Sequence, residues 1–214
     1  VLNVYNERLL RLLAETQIPK VFLDTSSLVS PDELNGDLLL MESRNSVRNI
    51  TAHLLEKGCT LPGFMGDIGY AQSNRERYEG FCQALMDAGK TPNPSLCLTT
   101  PLGIDSYREE IDSFLSSLSR MPDAFVCASD YVACILMQLL EKRGLRVPED
   151  VAVSGFDNNI EDLLAENLTT VQVFNEELGS RLALQILYRI KYPHTPHEVT
   201  YLESKVLYRA STGD

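Results

Sequence analysis

Short apolar segments alternate with amphipathic helical segments along the whole chain, and this alternation restricts the fold more than any other feature. Val151–Gly155 is typical of the apolar segments, because valines and small residues mark a strand that is covered on both faces. Gly144 and Pro148 precede it and are suited to ending a helix and preventing its continuation. Strands separated by helices form right-handed βαβ units, so the sequence predicts a doubly wound α/β protein with parallel sheets.

The remaining elements follow from the same criteria of apolar runs and helical spacing. Further strands are predicted at Lys20–Leu23, Asp37–Met41, Leu61–Met65, Ser95–Leu98, Ala124–Ala128, Thr170–Val173, Val199–Leu202 and Lys205–Tyr208. Helices are predicted at Tyr5–Ala14, Val47–Leu55, Asn74–Asp87, Ser106–Leu118, Tyr131–Lys142, Ile160–Leu164 and Glu176–Ile190.

The charge of the chain excludes one class of partner. Thirty acidic residues against nineteen basic ones give a net charge of −11, so this polypeptide alone is a poor ligand for nucleic acid. No apolar run is long enough to span a bilayer, and the first residues do not resemble a signal peptide. These features predict a cytoplasmic protein with no membrane partner.

The cysteines and histidines predict neither disulfides nor a metal site. The five cysteines are an odd number and form no C-x-x-C motif, so we expect buried thiols in a reducing cytosol. The three histidines have no metal-ligand spacing with them. We therefore expect no metal and no cofactor.

Three polar residues are candidates for binding a ligand. Asp157 and Ser129 follow predicted strands, at the edge where ligands bind in α/β proteins, and Arg77 lies near the start of a predicted helix. Asp157 follows a strand and could accept hydrogen bonds, although it could equally form an Asx-turn or cap the next helix. Arg77 offers a rigid fork of donors, although the run Arg75–Arg77 could simply face water. Ser129 could contact a ligand or act as the N-cap of the helix that follows it.

Several segments, in the same order and spacing, resemble the effector-sensing domain of the LacI/GalR family of bacterial transcription regulators. The resemblance covers nearly the whole chain from Ile18 onward. It is carried by Phe64-Met65-Gly66 with Ser73, Arg77 and Gly80-Phe81, by Ala128-Ser129-Asp130 with Ala133, by Gly144–Asp157, by Leu168–Val171 with Leu178-Gly179, and by Tyr208–Thr212.

The resemblance implies two lobes of periplasmic-binding-protein type, with an effector in the cleft between them. It places three crossing segments near Met41–Ser43, Val173–Asn175 and Leu202–Lys205. A complete C-terminal lobe then comprises 42–174 and 202–214, and a partial N-terminal lobe comprises 1–41 and 175–201. The opening section of that lobe and the helix-turn-helix DNA-binding domain are not in this chain, so we expect it to be a fragment.

The resemblance also implies a set of effector contacts. Asp157 and Arg77 are the main candidates, and Ser129 takes the place of an asparagine in the family pattern, which bears on the identity of the effector. Tyr131 could stack on a sugar ring. Met41 and Phe174 could form a wall of the cleft, although packing in the core accounts better for an isolated Met or Phe. The full set of expected ligand-binding residues is Arg77, Asp157, Ser129, Asp130, Ser73, Asp24, Tyr131 and Asn175.

The expected function is effector sensing, with a sugar as the most suitable effector. In the family, closure of the lobes around the effector sets the spacing of the DNA-binding heads of a homodimer. One alternative is a transport-type solute-binding protein, but five cysteines and the Leu168–Val171 segment disfavour it. The other is an enzyme, yet the chain contains no G-x-S-x-G nucleophile motif, and its glycine-rich segment at 63–69 lacks both G-x-G-x-x-G spacing and a Walker lysine.

Overall fold

A computed structural model describes residues 1–103, 105–158 and 165–214 and contains the predicted alternation of strands and helices. The strands are β1 (Val21–Leu23), β2 (Asp37–Met41), β3 (Pro62–Met65), β4 (Cys97–Leu98), β5 (Ala124–Cys127), β6 (Ala152–Ser154), β7 (Thr170–Gln172), β8 (Val199–Leu202) and β9 (Lys205–Leu207). The helices are α1 (Glu7–Glu15), α2 (Arg44–Glu56), α3 (Gln72–Asp87), α4 (Tyr107–Ser117), α5 (Asp130–Lys142) and α6 (Asn175–Lys191).

The first parallel sheet has three strands in the order β1-β2-β8. β2 lies in the centre, and all five of its residues are buried. Leu38 and Leu40 pack with residues of α1 and β1 on one face. Leu39 and Met41 pack against α6 on the other face. The sheet is therefore covered on both sides, which explains why the sequence of β2 is a continuous apolar run.

The second parallel sheet has four strands in the order β4-β3-β5-β6. Phe64 of β3 and Val126 of β5 pack against α2 and α3 on one face. Phe125 of β5 and Val153 of β6 pack against α4 and α5 on the other. This arrangement, with helices on both faces of parallel strands, is the doubly wound architecture that the alternation predicted.

A small antiparallel pair, β7-β9, lies beside the end of the second sheet. Isolated parallel bridges join Ser154 to Thr169 and Asp157 to Gln172, so β7 continues alongside β6 and the residues after it. As a result, the backbone around Asp157 is attached to β7.

The chain passes between the two parallel sheets after β2, before α6 and after β8. The first and third of these connections lie side by side, because the Glu42 N–H donates to the Leu202 carbonyl at 2.7 Å. The Ser204 hydroxyl also donates to the Glu42 carbonyl at 2.7 Å. The crossing segments and the residue boundaries that the resemblance implies for two lobes stay a prediction.

A buried ion pair joins β2 to α6. Arg189 Nε donates to Asp37 Oδ2 at 3.0 Å, and both side chains are almost fully buried. Gln185 Nε2 and the Glu198 N–H donate to the same carboxylate, each at 2.9 Å. Burial raises the pKa of Asp37, but the hydrogen bonds from Arg189 and Gln185 outweigh it, so the net pKa lies below its ordinary value.

One predicted strand is shorter in the structure than expected. The Ser95–Leu98 prediction was wrong at its start, because Pro94–Leu96 forms a 3-10 turn and β4 contains only Cys97 and Leu98. Proline at the first position of that turn fixes φ and favours the turn over an extended start. The predicted helix at Ile160–Leu164 lies outside the described residues.

All five cysteines lie in the described ranges and are thiols. Cys127 and Cys134 are buried, whereas Cys59, Cys82 and Cys97 are partly buried. In the part of the chain that the structure describes, no helix combines the length and the apolar character needed to span a bilayer.

Candidate functional site

A polar cavity of about 390 Å³ lies where the carboxyl ends of strands from both sheets meet. This is the edge at which open α/β sheets bind ligands. Helix α3 supplies Ser73, Asn74 and Arg77 to the lining, and α6 supplies Asn175. The lining residues at or just after strand ends are Asp24, Met41, Asp67, Ser129, Asp157 and Val173.

Arg77 is buried and fixed by contacts on several sides. Its guanidinium donates to the Ala128 carbonyl at the end of β5. It also lies 3.7 Å from the centroid of the Phe156 ring, a cation–π contact, and its Nη2 atom lies 3.6 Å from Asp157 Oδ1. Arg77 lines the cavity, the position expected of an effector contact.

Asp157 lies opposite Arg77 and is partly exposed to the cavity, with 30% of its side chain accessible. Its backbone N–H donates to the Val171 carbonyl at 3.0 Å, so β7 holds it in place. Burial raises the pKa of Asp157, and the positive charge of Arg77 opposes that rise. The carboxylate can therefore accept hydrogen bonds from a ligand while Arg77 compensates its charge.

Asp24 and Ser73 join the two sheets at the opposite side of the cavity. The Ser73 hydroxyl donates to Asp24 Oδ2 at 2.6 Å, and the Thr25 N–H donates to Oδ1 at 2.7 Å. Asp24 follows β1 with a φ of +56°, and Ser73 is in the first turn of α3. A ligand in the cavity would thus meet polar groups from both sheets.

Ser129 and Asp130 have different positions despite being neighbours. Ser129 lines the cavity and is also the N-cap of α5, since its hydroxyl accepts from the Val132 N–H at 3.3 Å. Asp130 is only 1% exposed and does not line the cavity. Its carboxylate accepts hydrogen bonds from the Thr170 hydroxyl and the Asn158 N–H instead. The structure therefore does not bring Asp130 to the cavity surface.

Two further predicted residues lie at the margin of the cavity. Tyr131 is outside the lining, but its ring packs edge-on against Tyr107 with centroids 5.6 Å apart, and Tyr107 does line the cavity. Phe174 is outside the lining, whereas its neighbour Asn175 is within it. Arg75, in the run that could simply face water, is partly buried and donates to Ser27 Oγ at 3.3 Å.

Sequence reasoning missed several lining residues, of which the aromatic ones are the most informative. Tyr5 and Tyr70 pack together with ring centroids 4.2 Å apart, although 65 positions separate them in the chain. Asp67, in the glycine-rich segment at 63–69, also lines the cavity. Its position directly after β3 was the available signal, because the ends of parallel strands meet at one edge.

Negatively charged side chains outnumber positively charged ones in the cavity lining. Asp24, Asp67 and Asp157 are carboxylates, and Arg77 is the guanidinium among them. Arg77 is already compensated by Asp157. The cavity therefore presents a net negative charge to a ligand, together with the hydroxyl and ring faces of tyrosines. Among the described residues, no three His, Cys, Asp or Glu side chains are grouped as a metal site requires.

A second depression, of about 480 Å³, is larger but chemically different. It lies between the end of α1, the start of β1 and α6, and it shares no lining residue with the polar cavity. Ile18, Val21, Leu182 and Ile186 make its surface mostly apolar. A polar ligand would find few hydrogen-bonding partners there, so the smaller cavity is the candidate site.

Two parallel sheets with a polar cavity at their strand ends define a ligand-binding domain of periplasmic-binding-protein type. Residues 51–212 match the family model described as a periplasmic binding protein-like domain. Because the match spans most of the chain, the chain belongs to this family.

The relatives narrow the class further. The transcriptional repressor PurR of Aliivibrio salmonicida is 29% identical over 209 residues, which are 96% of this chain and 61% of that protein. The regulator DegA of Bacillus subtilis is 30% identical over 78% of this chain and 48% of its own length. The solved complex of the regulator CelR with cellobiose is 26% identical, with a TM-score of 0.84, covering 99% of this chain and 64% of that one.

These comparisons confirm the predicted class, a LacI/GalR-type effector-sensing domain with a periplasmic-binding-protein-like fold. The relatives are helix-turn-helix regulators rather than enzymes. The chain spans about three fifths of the length of the PurR proteins that it matches.

Proposed function

We propose that the cavity is the effector site of a transcription regulator and that its effector is an uncharged sugar. The observation that carries the proposal is that Arg77 and Asp157 face each other in one polar cavity, with Asp24 and Ser73 on its other side. Fixed donors and acceptors on both sides suit a ligand with many hydroxyl groups, since each hydroxyl both donates and accepts.

The charge of the lining favours a neutral sugar over an anion. Three carboxylates and one compensated guanidinium repel a phosphate group. The rings of Tyr5, Tyr70 and Tyr107 offer apolar faces on which the C–H-rich face of a sugar can pack. That the related regulator CelR forms a complex with cellobiose is in keeping with this choice.

In the proposed mechanism, the effector draws together two lobes, with 42–174 and 202–214 in one and 1–41 and 175–201 in the other. Asp157, Arg77 and Ser129 bind it from the first lobe, and Asp24 and Asn175 bind it from the second. A closed arrangement that binds the effector more tightly than the open one shifts the population toward closure. In a cytoplasmic homodimer, that shift would change the spacing of the DNA-binding heads.

The alternative of a transport-type solute-binding protein has less support. All five cysteines are thiols, which suits a reducing compartment better than an oxidising one. The relatives PurR and DegA are transcription regulators.

A thermal-shift panel on the full natural chain tests the proposal, with cellobiose, ribose, glucose 6-phosphate and hypoxanthine as probes. A probe present at one hundred times its dissociation constant stabilises the fold by about 2.7 kcal/mol, a shift of roughly 5–10 °C. We expect stabilisation by a neutral sugar and none by the phosphate ester. Stabilisation by glucose 6-phosphate alone, or by hypoxanthine alone, would contradict the choice of a neutral sugar.

A further inference from the structure

The turn that carries Asp157 has a backbone conformation that non-glycine residues rarely adopt. The φ angle is +114° at Asp157 and +48° at Asn158. Such residues persist only where the surrounding structure holds them in place, and they occur often at ligand sites. The contacts that hold this turn are therefore candidates for a role in effector binding.

Three separate segments converge on Asn158. Its backbone N–H donates to Asp130 Oδ2 at 2.7 Å, at the start of α5. Its side-chain amide donates to Gln172 Oε1 at 2.5 Å, at the end of β7. Its side-chain oxygen accepts from Arg209 Nη2 at 2.9 Å, near the end of the chain. Since these contacts come from different elements, they fix both the position and the orientation of the turn.

Asp130 is the most enclosed of these partners. Its Oδ1 atom accepts from the Thr170 hydroxyl at 2.6 Å, and its backbone N–H donates to the Phe156 carbonyl at 2.8 Å. A side chain at Gly155 would place its Cβ 2.2 Å from Asp130 Oδ1, so glycine at that position leaves room for the carboxylate. Asp130 thus bonds to the backbone on both sides of Asp157.

We propose that Asp130 is a positioning residue, which holds the Asp157 carboxylate in the cavity by bonding to the backbone of Phe156 and Asn158. This inference rests on the proposed function, because the position of Asp157 matters for binding only if the cavity holds the effector. Asp130 is outside the cavity lining, so it acts through the turn and not by touching the ligand.

Burial and a nearby negative charge disfavour the ionised form of Asp130. Burial raises the pKa of Asp130 to about 6, with the Thr170 hydrogen bond opposing the rise and the nearby Asp157 charge adding to it. Arg209 is the positively charged group that lowers it. The hydrogen bonds that Asp130 accepts from Thr170 and Asn158 both favour its ionised form.

Amide hydrogen exchange on the full natural chain tests the inference without any ligand. The variants are Asp130→Ala, which removes the acceptor, and Asp130→Asn, which keeps the size and one acceptor oxygen. Thr170→Val is the matched control, since it removes the other hydrogen bond to Asp130 but leaves the one from Asn158. The measured quantity is the exchange rate of the Asn158 amide, compared with amides of β5.

In Asp130→Ala, we expect the Asn158 amide to exchange at least about tenfold faster, because a hydrogen bond to a charged acceptor is lost. The β5 amides should be unchanged, and Asp130→Asn and Thr170→Val should stay within about threefold of the natural chain. An unchanged Asn158 rate in Asp130→Ala, or an equal acceleration in Thr170→Val or throughout β5, would overturn the inference. If Asp130→Ala does not fold, Asp130→Ser, whose side chain is one bond shorter, replaces it with the same expected result.

Calorimetric titration with cellobiose adds the functional readout. We expect its dissociation constant to rise about tenfold in Asp130→Ala and to be mostly restored in Asp130→Asn. Equal affinity in Asp130→Ala and the natural chain would overturn the positioning role. If the natural chain does not bind cellobiose, that result counts against cellobiose as its effector, while the exchange rates still decide the role of Asp130.

Discussion

Replacing Arg77 with methionine tests whether the contacts of its guanidinium stabilise the folded state. Methionine keeps an unbranched, flexible side chain of similar reach but removes the charge and all five donors. In the natural chain, the guanidinium donates to the Ala128 carbonyl, lies 3.7 Å from the Phe156 ring centroid and lies 3.6 Å from Asp157. The substitution removes all three interactions at once.

The expected loss of stability follows from the burial of these contacts. A hydrogen bond from a charged donor to a buried carbonyl contributes about 1.5–3 kcal/mol, and a desolvated cation–π contact contributes about 1–2 kcal/mol. The pair with Asp157 adds less, because its Nη2 and Oδ1 atoms lie 3.6 Å apart, beyond hydrogen-bond distance. Packing of the methionine side chain recovers some of the loss, so we expect the free energy of unfolding to fall by about 2–4 kcal/mol.

Urea denaturation at pH 7 measures this loss, and Arg75→Met is the control on the same helix. Arg75 is partly buried and has a hydrogen bond to Ser27 at 3.3 Å, so its replacement should cost about 1 kcal/mol or less. A loss below 1 kcal/mol for Arg77→Met, or equal losses in the two variants, would refute this account of the Arg77 contacts.

Three further predictions concern the scaffold around the site. Arg189→Met should destabilise the fold by about 3–5 kcal/mol, because it leaves the Asp37 carboxylate buried without its cation. In the same urea denaturation assay, Arg48→Met, which removes an exposed ion pair, should cost less than about 1 kcal/mol. The pKa of Asp37 is lower in the folded state than its ordinary value of 3.8. Its contribution to stability should therefore be fully present above about pH 5 and be lost as the pH falls through the folded pKa. Measured against pH, the free energy of unfolding should fall less steeply in acid for Asp37→Asn than for the natural chain. Gly80→Ala should lower the melting temperature, since its Cβ would lie 2.1 Å from the Arg44 carbonyl oxygen of α2. Gly179→Ala on α6 is the control, because its Cβ meets no atom within 4 Å, and it should raise the free energy of unfolding by about 0.5–1 kcal/mol.

The alternation of strands and helices could be predicted from the sequence because buried positions must be apolar, so they appear in it as apolar runs or helical stripes. β2 begins and ends at the predicted residues, since both of its faces are covered and every position must be apolar or paired. β4 differed at its start because a local proline turn, and not apolar content, determines where it begins.

The site could be predicted only in part, because two neighbouring residues can point in different directions. Ser129 and Asp130 follow the same strand, yet only Ser129 reaches the cavity, and the turn geometry that separates them is absent from the spacing of the sequence. Tyr5 and Tyr70 were missed for a different reason. Their contact depends on how the end of the first sheet meets the loop after β3, and no periodic pattern encodes that contact.

The most direct test of the central claim is calorimetric titration of the natural chain and Asp157→Asn with the neutral sugar that stabilises the fold most. The account predicts that Asp157→Asn weakens binding by about 1–3 kcal/mol, roughly five- to 150-fold, because the neutral amide replaces a charged acceptor in the cavity. Substitution of the exposed Asp105 by asparagine should leave the affinity unchanged. Equal affinities of the natural chain and Asp157→Asn would contradict the claim that this cavity binds the effector through its carboxylate.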